Sequence, residues 1–359
     1  MTATRADFPV LERVAYLNAG SVGPLSRRTA EAMAEQERLG LSGGRGAHSS
    51  FAARMELRER LRERLAGLLG VPAENLALTG STTEGCHLVL TGLGLRPDDE
   101  VVTTDAEHFG LLGTLGSSGA AIRFAPVVGR SDSEVLQAVL DAVTPRTRLI
   151  ALSHVLWLNG QVLPIAEIKR ETGLPVLVDG AQSVGAIPVQ ATDVDYYTVS
   201  GQKWLCGPEL TGALYVADPD TLRPRMQIDA AAAGIPERSG AARLEMLFHP
   251  GALSAGLLSA IEQLPPDAFE RAAEATRLCR NALLEAGVKV LTEPDQGTLV
   301  SFTTAMAPDE AVTSCEEHEV VIRRLPNGWL RASCGWWNSA EDIERLVASL
   351  TPPERPAAL

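Results

Sequence analysis

The sequence predicts an α/β fold in which a large domain with a mostly parallel, helix-covered β-sheet is followed by a smaller α+β domain. Two observations carry this prediction. Short apolar runs rich in β-branched residues alternate with segments of helical periodicity through the first two-thirds of the chain, an alternation typical of parallel strands joined by crossover helices. After about Pro236 the order changes to a long helix followed by short strands and helices, which indicates a second domain.

The strands of the large domain are predicted from apolar segments bounded by Gly, Pro or Asp. In chain order they are Asn75–Thr79, Glu100–Thr103, Ile122–Pro126, Arg148–Ser153, Pro175–Asp179, Asp195–Val199 and Ala213–Val216. The clearest helix is Phe51–Leu69, where Met55 and several leucines form one stripe and charged residues lie elsewhere. Ligands of such sheets bind beyond the carboxyl ends of the strands, so residues that follow a strand are the first candidates for a site.

The smaller domain is predicted from a long helix and a set of short elements. The helices are Asp267–Glu285, Asp309–His318 and Ser339–Leu350, and the strands are Val288–Leu291, Thr298–Phe302, Val320–Arg323 and Trp329–Ala332. We therefore divide the chain into an N-terminal segment, residues 1–24, expected to pack with the small domain, a large domain, residues 25–235, and a small domain, residues 236–359.

Composition limits the function classes. The 359 residues carry a formal net charge of −13, which argues against binding to nucleic-acid phosphates or anionic membranes. The N-terminus lacks the pattern of a signal peptide, and no apolar run reaches the roughly 18 residues of a membrane helix. The five cysteines are widely spread without a C-x-x-C motif, a pattern that fits a reducing cytoplasm better than disulfides or a metal site.

Two residues at neighbouring strand ends carry the chemistry. The strand PVLV ends in Asp179, and Lys203 follows the next strand in the segment SGQKW. Either residue alone is more often a helix cap or a surface lysine, but pyridoxal phosphate (PLP) needs both types. The lysine amine forms a Schiff base with the cofactor, and a carboxylate keeps the pyridine nitrogen protonated so that the ring accepts electrons. The pair predicts a PLP site.

The segments around this pair resemble a known family. VDGAQSVGAIPV followed by DYYTVSGQKWLCGPELTGALYV is similar to the class V branch of the fold-type-I PLP enzymes, which includes cysteine desulfurases, kynureninases, isopenicillin N epimerases and cysteine/cystine C–S lyases. The resemblance extends from about Tyr16 to Leu350 and is closest to the C–S lyases. Their counterparts here are YLNAGSVGPL, LTGSTTEGCHLVL, TTDAEHFGLL, SHVLWLNGQVLPIAEI and LRASCGWWNSAEDI.

The resemblance implies a PLP-dependent transferase fold of type I, a homodimer, and a set of cofactor contacts. His108 would stack on the pyridine ring, Gln182 would hydrogen-bond the phenolic oxygen, and Lys203 and Asp179 would hold the cofactor as described. Further contacts to the cofactor phosphate are implied for Thr82, Thr83, Ser200 and Gln202. Many relatives carry histidine where Gln202 stands, and the amide of glutamine can still donate.

The substrate contacts come from the same resemblance. Arg331, in the predicted strand LRAS, would pair with the α-carboxylate of an amino acid, a task that suits the forked guanidinium. Asn159 is a second implied contact. In the relatives, asparagine directly follows the tryptophan that corresponds to Trp157, whereas this chain has Leu158 at that position.

A contact from the other subunit is also implied. Fold-type-I dimers often borrow a Ser or Thr of the partner for the phosphate, and the corresponding stretch here, Glu245–Leu257, has Phe248 and His249 near that point. Either His249 makes this contact or the contact is absent.

The reaction is predicted by weighing the class V chemistries against the residues present. A desulfurase needs a nucleophilic cysteine shortly before the carboxylate-binding arginine, but residues 324–330 contain none. Cys315 lies upstream on a predicted helix, and Cys334, three positions after Arg331, is expected to be a buried structural thiol. The remaining prediction is β-elimination from cysteine, cystine or an S-substituted cysteine, with Lys203 as general base, giving pyruvate, ammonia and a thiol or persulfide.

Other activities stay open at this point. A C–S lyase specific for a natural-product conjugate, an epimerase, a transaminase and a desulfurase are alternatives within the same family. A PLP-binding protein without catalysis is disfavoured because Asp179, Lys203 and Arg331 are all present. The sequence thus predicts a cytoplasmic enzyme with a small amino-acid substrate, a homodimeric partner, and no metal, nucleic acid or membrane contact.

Overall fold

The structure is a computed structural model that describes residues 2–225 and 238–350. The chain starts with two short 3-10 turns, Arg5–Asp7 and Pro9–Glu12, and a short strand, β1 (Ala15–Tyr16). Two long helices follow, α1 (Arg27–Gly43) and α2 (His48–Leu69). The helix predicted at Phe51–Leu69 is confirmed and begins three residues earlier than predicted, at His48.

The large sheet has seven strands within the described residues. They are β2 (Leu76–Thr79), β3 (Glu100–Thr104), β4 (Ala121–Ala125), β5 (Thr147–Ser153), β6 (Val176–Asp179), β7 (Tyr196–Ser200) and β8 (Gly212–Val216). All seven predicted strands are found, with ends that differ by one residue at most. Their spatial order is β2-β8-β7-β6-β5-β3-β4. Only β8 runs antiparallel to its neighbours β2 and β7, so the predicted mostly parallel sheet is confirmed.

Helices cover both faces of this sheet. Between its strands lie α3 (Thr82–Gly92), α4 (Phe109–Gly116), α5 (Asp132–Ala142) and α6 (Ile165–Thr172). The strands β2, β3, β6, β7 and β8 are buried along their whole length, which explains why they read as continuous apolar runs rather than alternating ones. Buried apolar side chains form one core cluster on each side of the sheet.

The C-terminal part contains four further helices among the described residues. They are α7 (Gly251–Glu262), α8 (Ala268–Glu285), α9 (Pro308–Glu317) and α10 (Ala340–Leu350). Helix α7 packs against α1 and α2 of the N-terminal part, whereas α8, α9 and α10 cover a separate core cluster. The predicted boundary between residues 235 and 236 lies outside the described residues, and the division into domains stays a prediction.

A second, antiparallel sheet forms from β9 (Lys289–Val290), β10 (Leu299–Thr303), β12 (Arg323–Arg324) and β13 (Leu330–Ser333) in the order β12-β13-β10-β9. The prediction of one strand at Val320–Arg323 is wrong, because the chain changes partners at Ile322. Before that residue, β11 (Val320–Val321) pairs in parallel with β1, and after it β12 pairs with β13. The N-terminal segment is thereby joined to the C-terminal elements.

None of the helices in the described part of the chain combines the length and the apolar character needed to cross a lipid bilayer.

Candidate active site

The acid and the amine singled out from the sequence lie at neighbouring strand ends. Asp179 is the last residue of β6, and Lys203 follows β7, the parallel neighbour of β6. Asp179 is buried, and the Ala181 N–H donates to its Oδ1 over 2.9 Å. Burial raises the pKa of the Asp179 carboxyl, while the charge of Lys203 and the Thr82 hydroxyl act in the opposite direction. The two groups therefore lie close enough to interact electrostatically.

The amine of Lys203 is held in an unusual electrostatic setting. Burial lowers its pKa to about 8, and the nearby cations Arg331 and Arg323 act in the same direction, while Asp179 opposes them. An ordinary lysine has a pKa near 10.4, so this amine is neutral far more often at physiological pH. A neutral amine can act as a nucleophile or as a base.

The turn that carries Lys203 has a tightly packed backbone. A Cβ at Gly201 would come within 2.2 Å of the Thr211 Oγ1, so any other residue at this position would displace the Thr211 side chain. In the same turn, the Ser200 hydroxyl donates to the Gln202 Oε1 over 3.0 Å. The two predicted phosphate donors from this turn are thus adjacent, and the Gln202 amide keeps its N–H groups for another acceptor.

Helix α3 presents its N-terminus at the end of β2. The Ser81 Oγ caps this helix by accepting from the Glu84 N–H over 3.1 Å. Thr82 is buried, and its hydroxyl lowers the pKa of the Asp179 carboxyl. Thr83 is exposed, and its Oγ1 lies beside Gly110. Because N–H groups at a helix N-terminus favour anions, this end of α3 suits a phosphate, and the roles of Thr82 and Thr83 there stay predictions.

His108 is the N-cap residue of α4, and its Nδ1 accepts from the Gly110 N–H over 3.1 Å. Burial lowers the pKa of the imidazole to about 4, and the charges of Lys203, Arg323 and Arg331 contribute. The ring is therefore neutral at physiological pH and carries its proton on Nε2. It contacts the Trp157 ring edge-on at 5.0 Å. A neutral aromatic ring close to Lys203 fits the stacking role implied for His108.

Gln182 is buried between the N-terminal segment and the lysine turn. Its Nε2 donates to the Gly20 carbonyl over 2.9 Å, and its Oε1 accepts from the Trp204 Nε1 over 3.0 Å. An amide nitrogen has two hydrogens, so one remains for the predicted contact to the cofactor.

The N-terminal segment lies directly against the candidate site. The Gly23 N–H donates to the Gln202 carbonyl over 2.7 Å, and a Cβ at Gly23 would come within 2.1 Å of the Lys203 carbonyl oxygen. A Cβ at Gly20 would come within 2.8 Å of the Arg331 Nη2. Glycine at these two positions therefore permits the backbone to approach both the lysine turn and the arginine.

Arg331 is a buried cation with unpaired donors. It lies in β13 with 1% of its surface exposed, and its Nη1 donates to the Trp157 carbonyl over 2.7 Å. Among the described residues, its Nε and Nη2 have no hydrogen-bond partner. Burial lowers its pKa to about 9, and the charge of Arg323 adds to this effect. Burying a charge without partners is costly, so the arrangement suits a guanidinium that pairs with an anionic ligand.

Arg323 is a second cation that the sequence analysis missed. It is the register partner of Arg331 across the β12–β13 pair, and its charge lowers the pKa of Lys203, His108 and Arg331. Its Nη1 donates to the Ser21 Oγ over 2.8 Å. The short segment Leu325–Trp329 between two strand-like runs was the available signal, since a hairpin there places Arg323 opposite Arg331.

Trp157, rather than the side chain of Asn159, contacts the other candidate residues. The Trp157 Nε1 is buried and lacks a partner within the residues that the structure describes. The Asn159 Oδ1 accepts from the Gln161 N–H over 3.2 Å, and its carbonyl accepts from Thr292 over 2.8 Å. These contacts hold Asn159 in its own turn, and its substrate role stays a prediction.

Two further residues noted in the sequence lie away from the lysine. His249 is half-buried, and burial lowers its pKa, as does the charge of Arg58. Its Nε2 has no partner in the described part of the chain. Cys334 is fully buried in the C-terminal core, where contact with Cys279 and burial raise the pKa of its thiol. This setting agrees with the expected structural thiol.

The donor set fits the cofactor predicted from the sequence. It combines an amine of lowered pKa, a buried acid, a helix N-terminus and a buried guanidinium with unpaired donors, the groups that a phosphorylated pyridine aldehyde and an amino acid require. Within residues 2–225 and 238–350, no group of three or more His, Cys, Asp or Glu side chains is arranged to hold a metal ion.

Comparison with protein families gives a match between residues 15–247 and the model described as aminotransferase class-V. The "Cysteine desulfurase" of Enterobacter sp. (strain 638) is 37% identical over 236 residues, which are 60% of this chain and 57% of that protein. The "Cysteine desulfurase" of Shigella sonnei (strain Ss046) is 35% identical with the same coverage. The match thus spans less than two thirds of the length of these curated relatives.

Solved structures are similar over nearly the whole chain. A mutant of C-DES with glycine covalently linked to the PLP cofactor has a TM-score of 0.90 and 30% identity, covering 97% of this chain and 99% of that chain. The complex of the cystine C-S lyase C-DES with its reaction product cysteine persulfide has a TM-score of 0.89 and 30% identity, covering 96% and 98%. The apo cysteine desulfurase from Thermococcus onnurineus NA1 shares the fold, with a TM-score of 0.85, 22% identity, and coverage of 97% and 98%.

Proposed function

The chain belongs to the class-V aminotransferase family, and from this membership we propose that it is a pyridoxal-phosphate-dependent carbon–sulfur lyase. Its substrate would be cysteine, cystine or an S-substituted cysteine, and its products pyruvate, ammonia and a thiol or persulfide. The observation that carries the proposal is the buried Arg331 guanidinium, which has two unpaired donor atoms and acts electrostatically on the Lys203 amine. An amino acid has the carboxylate and the α-amino group that these two residues would meet.

The cofactor would be held by residues at the carboxyl edge of the large sheet. Lys203 would bind it covalently, Asp179 would pair with its ring nitrogen, and the N-terminus of α3 would receive its phosphate. When bound, the ring withdraws electrons from the α-carbon of an amino acid.

The chain's own residues supply the remaining steps. Arg331 would hold the substrate carboxylate through its Nε and Nη2, which fixes the α-carbon relative to Lys203. The substrate's α-amino group would first displace Lys203 from the cofactor, and the freed Lys203 Nζ would then take the α-proton, a role that its lowered pKa supports. The neutral His108 ring would pack against the bound groups without adding charge. The β-carbon–sulfur bond then breaks as sulfur leaves with the bonding electron pair.

The segment before Arg331 supports elimination over sulfur transfer to the protein. Residues 324–330 contain no cysteine, and they form a short hairpin in which the Leu325 N–H donates to the Trp329 carbonyl over 2.7 Å. A desulfurase needs a thiol that reaches the substrate sulfur. Both Cys315 and Cys334 are fully buried in the C-terminal core. Cysteine desulfurase is nevertheless the second candidate, because the curated relatives carry that name.

The products decide between the two candidates. The purified protein is supplied with PLP and with cystine, cysteine or S-substituted cysteines in parallel, and pyruvate and alanine are followed. Elimination gives pyruvate, whereas desulfuration gives alanine. If no substrate yields pyruvate, the lyase proposal is wrong. Deuterium exchange at the α-carbon without elimination would indicate an epimerase, and amino transfer to a keto acid would indicate a transaminase.

Arg323 supports a substrate with two carboxylates. Cystine has a second carboxylate beyond its disulfide, and Arg323 adds a second guanidinium beside Arg331. Persulfide is also a better leaving group than hydrosulfide, which favours cystine over free cysteine. We therefore propose that cystine or a similarly extended conjugate is preferred.

Replacing Arg323 with alanine is expected to raise KM for cystine about 3- to 5-fold, because a half-exposed ion pair contributes up to about 1 kcal/mol, and to change KM for cysteine much less. Steady-state pyruvate formation measures both. The matched control is Arg324→Ala, since Arg324 is the exposed neighbour that pairs with Asp309 at 3.1 Å and should leave both KM values unchanged. Equal effects of Arg323→Ala on cystine and cysteine would contradict the second carboxylate contact.

The uptake of cofactor should depend on pH through the Lys203 amine. Its pKa of about 8 leaves about a tenth of the amine neutral at pH 7 and about half at pH 8. The rate at which apo-protein attaches PLP, trapped with borohydride, is therefore expected to rise with pH and to level off above about pH 9. A rise that continues to about pH 10 would show an unperturbed amine and contradict the prediction.

We propose that the protein is a homodimer in the cytoplasm. Three large apolar side chains are exposed, namely Phe109 at 63%, Leu210 at 74% and Phe248 at 75%, and a second copy of the chain would cover such residues. All five cysteines lie within the described residues, are buried, and form no disulfide, which supports a reducing compartment.

A further inference from the structure

A buried carboxylate that the proposed mechanism does not use lies one residue before His108. Glu107 has 5% of its surface exposed. Its Oε1 accepts from the Thr104 Oγ1 over 2.6 Å and from the Ser153 N–H over 3.1 Å. Its Oε2 accepts from the Ser153 N–H over 3.0 Å and from the Ser153 Oγ over 2.5 Å. The carboxylate thereby connects the turn after β3 to the end of β5.

The end of β5 is in turn joined to the strand that carries the acid of the candidate site. Ser153 is the register partner of Asp179 across the β5–β6 pair, and the next residue, His154, donates its N–H to the Asp179 carbonyl over 3.1 Å. Glu107 therefore links two residues of the proposed site, His108 through the backbone and Asp179 through Ser153.

Two further ionisable groups act on or near Glu107. Asp179 faces it from β6, and Cys86 faces it from α3. Burial raises the pKa of Glu107 to about 7, the hydrogen bonds from Ser153 and Thr104 act in the opposite direction, and the charge of Asp179 raises it further. A carboxyl group in this setting is costly to bury, and a leucine or glutamine here would avoid the cost. The hydrogen bonds that Glu107 accepts from Thr104 and Ser153 offset this cost.

We propose that Glu107 is a positioning residue that fixes the His108 turn against the strand end carrying Asp179, and so sets the geometry in which both residues contact the cofactor. This inference rests on the proposed PLP chemistry. It differs from a purely structural role because removing the carboxylate must alter the bound cofactor itself and not the stability of the protein alone.

Glu100, the first residue of the strand that precedes Glu107, provides a matched control. It is also a buried glutamate, with 2% exposure, and it accepts from the Thr144 Oγ1 over 2.5 Å and from the Arg146 Nε over 3.0 Å. Glu100 lies at the amino end of β3, however, whereas Glu107 follows its carboxyl end. Replacing Glu100 removes a comparable set of contacts far from the candidate site.

The test compares Glu107→Ala, Glu107→Gln and Glu100→Ala with the wild type. Three quantities are measured for each protein: the dissociation constant for PLP by titration of apo-protein, the circular dichroism of the bound cofactor, and the melting temperature. Glu107→Ala is expected to weaken PLP binding about 10- to 100-fold, the usual effect of losing a group that orients a ligand's contacts, and to change the cofactor's circular dichroism band. Glu107→Gln should stay within about threefold of the wild type, because its amide can still accept from the Ser153 N–H and donate to a hydroxyl.

Glu100→Ala should lower the melting temperature but leave PLP affinity and circular dichroism unchanged. The inference is overturned if Glu107→Ala lowers the melting temperature while binding PLP as the wild type does. It is also overturned if Glu107→Gln is as defective as Glu107→Ala, because the charge and not the hydrogen-bonded connection would then matter. Failure of the wild type to bind PLP is a separate result and would overturn the proposed function itself.

Discussion

Replacing Lys203 with alanine is expected to lower pyruvate formation from any accepted substrate by at least about 10³-fold, since both the covalent attachment point and the general base are lost. Binding of PLP should persist more weakly, because Asp179 and the N-terminus of α3 remain. Two measurements check this prediction: the initial rate of pyruvate formation at saturating substrate, and the mass of the protein after borohydride treatment. The variant should gain no mass corresponding to reduced cofactor.

Lys169→Ala is the matched control for this substitution. Lys169 is also half-buried and paired with a carboxylate, with its Nζ 2.7 Å from the Asp195 Oδ2. It lies on α6, and its other contact is the Leu174 carbonyl at 3.2 Å. Its loss should lower the melting temperature slightly and leave turnover unchanged. Turnover above about a tenth of the wild-type rate in Lys203→Ala would contradict the assignment of Lys203 as the general base.

The second large effect is expected at Arg331. Replacing it with methionine should lower kcat/KM by about 10²- to 10³-fold, which corresponds to about 3 to 4 kcal/mol of lost transition-state binding. The free energy of unfolding of the substrate-free protein should stay the same or rise by about 1 kcal/mol. The reason is that the guanidinium is buried with two unpaired donors, so an apolar side chain of similar size removes a desolvation penalty.

Arg62→Met should give the opposite pattern. Arg62 is buried to a similar extent, but it is fully paired: its Nη2 donates to the Glu245 Oε1 over 2.6 Å and its Nε to the Leu76 carbonyl over 3.0 Å. Removing it leaves Glu245 short of a partner and should cost about 3 to 5 kcal/mol of unfolding free energy without a specific change in KM. Denaturant unfolding and steady-state kinetics on both variants distinguish the cases. A loss of stability in Arg331→Met equal to that in Arg62→Met would contradict the ligand role of Arg331.

The large sheet could be predicted from sequence because five of its seven strands are buried along their whole length. Most strands therefore appear as apolar runs, and the punctuating Gly, Pro and Asp residues mark the ends to within one residue. Asp179 and Lys203 were found for the same reason, since residues that follow such runs lie at the ligand-binding edge. Their roles as cofactor contacts, and those of the other predicted site residues, stay predictions.

The parts that escaped prediction depend on register and on contacts between distant segments. Arg323 joins the candidate site because β12 pairs with β13 in one particular register, and hydrophobic pattern does not specify that pairing. Likewise, Glu107 reads as one more polar residue in the turn DAEH, and only its contact with Ser153 reveals a connection. The split of Val320–Arg323 into two strands follows from pairing with β1, which is formed by residues at the other end of the chain.

Contacts between the N-terminal segment and the C-terminal elements have a consequence for biosynthesis. The Arg323 Nη1 bonds to the Ser21 Oγ, 302 positions earlier in the chain, and the Arg5 guanidinium bonds to Asp342, 337 positions later. The first of these contacts can therefore form only after the ribosome has synthesised the chain through Arg323, and the second only after Asp342. Domains generally fold as units during synthesis, N-terminal parts first, so the lysine-bearing sheet can fold while its first two dozen residues still await a partner. We expect newly made chains to pass through a stage in which that leading stretch is accessible to proteases, and to become protected once the segment through Asp342 has emerged from the ribosome.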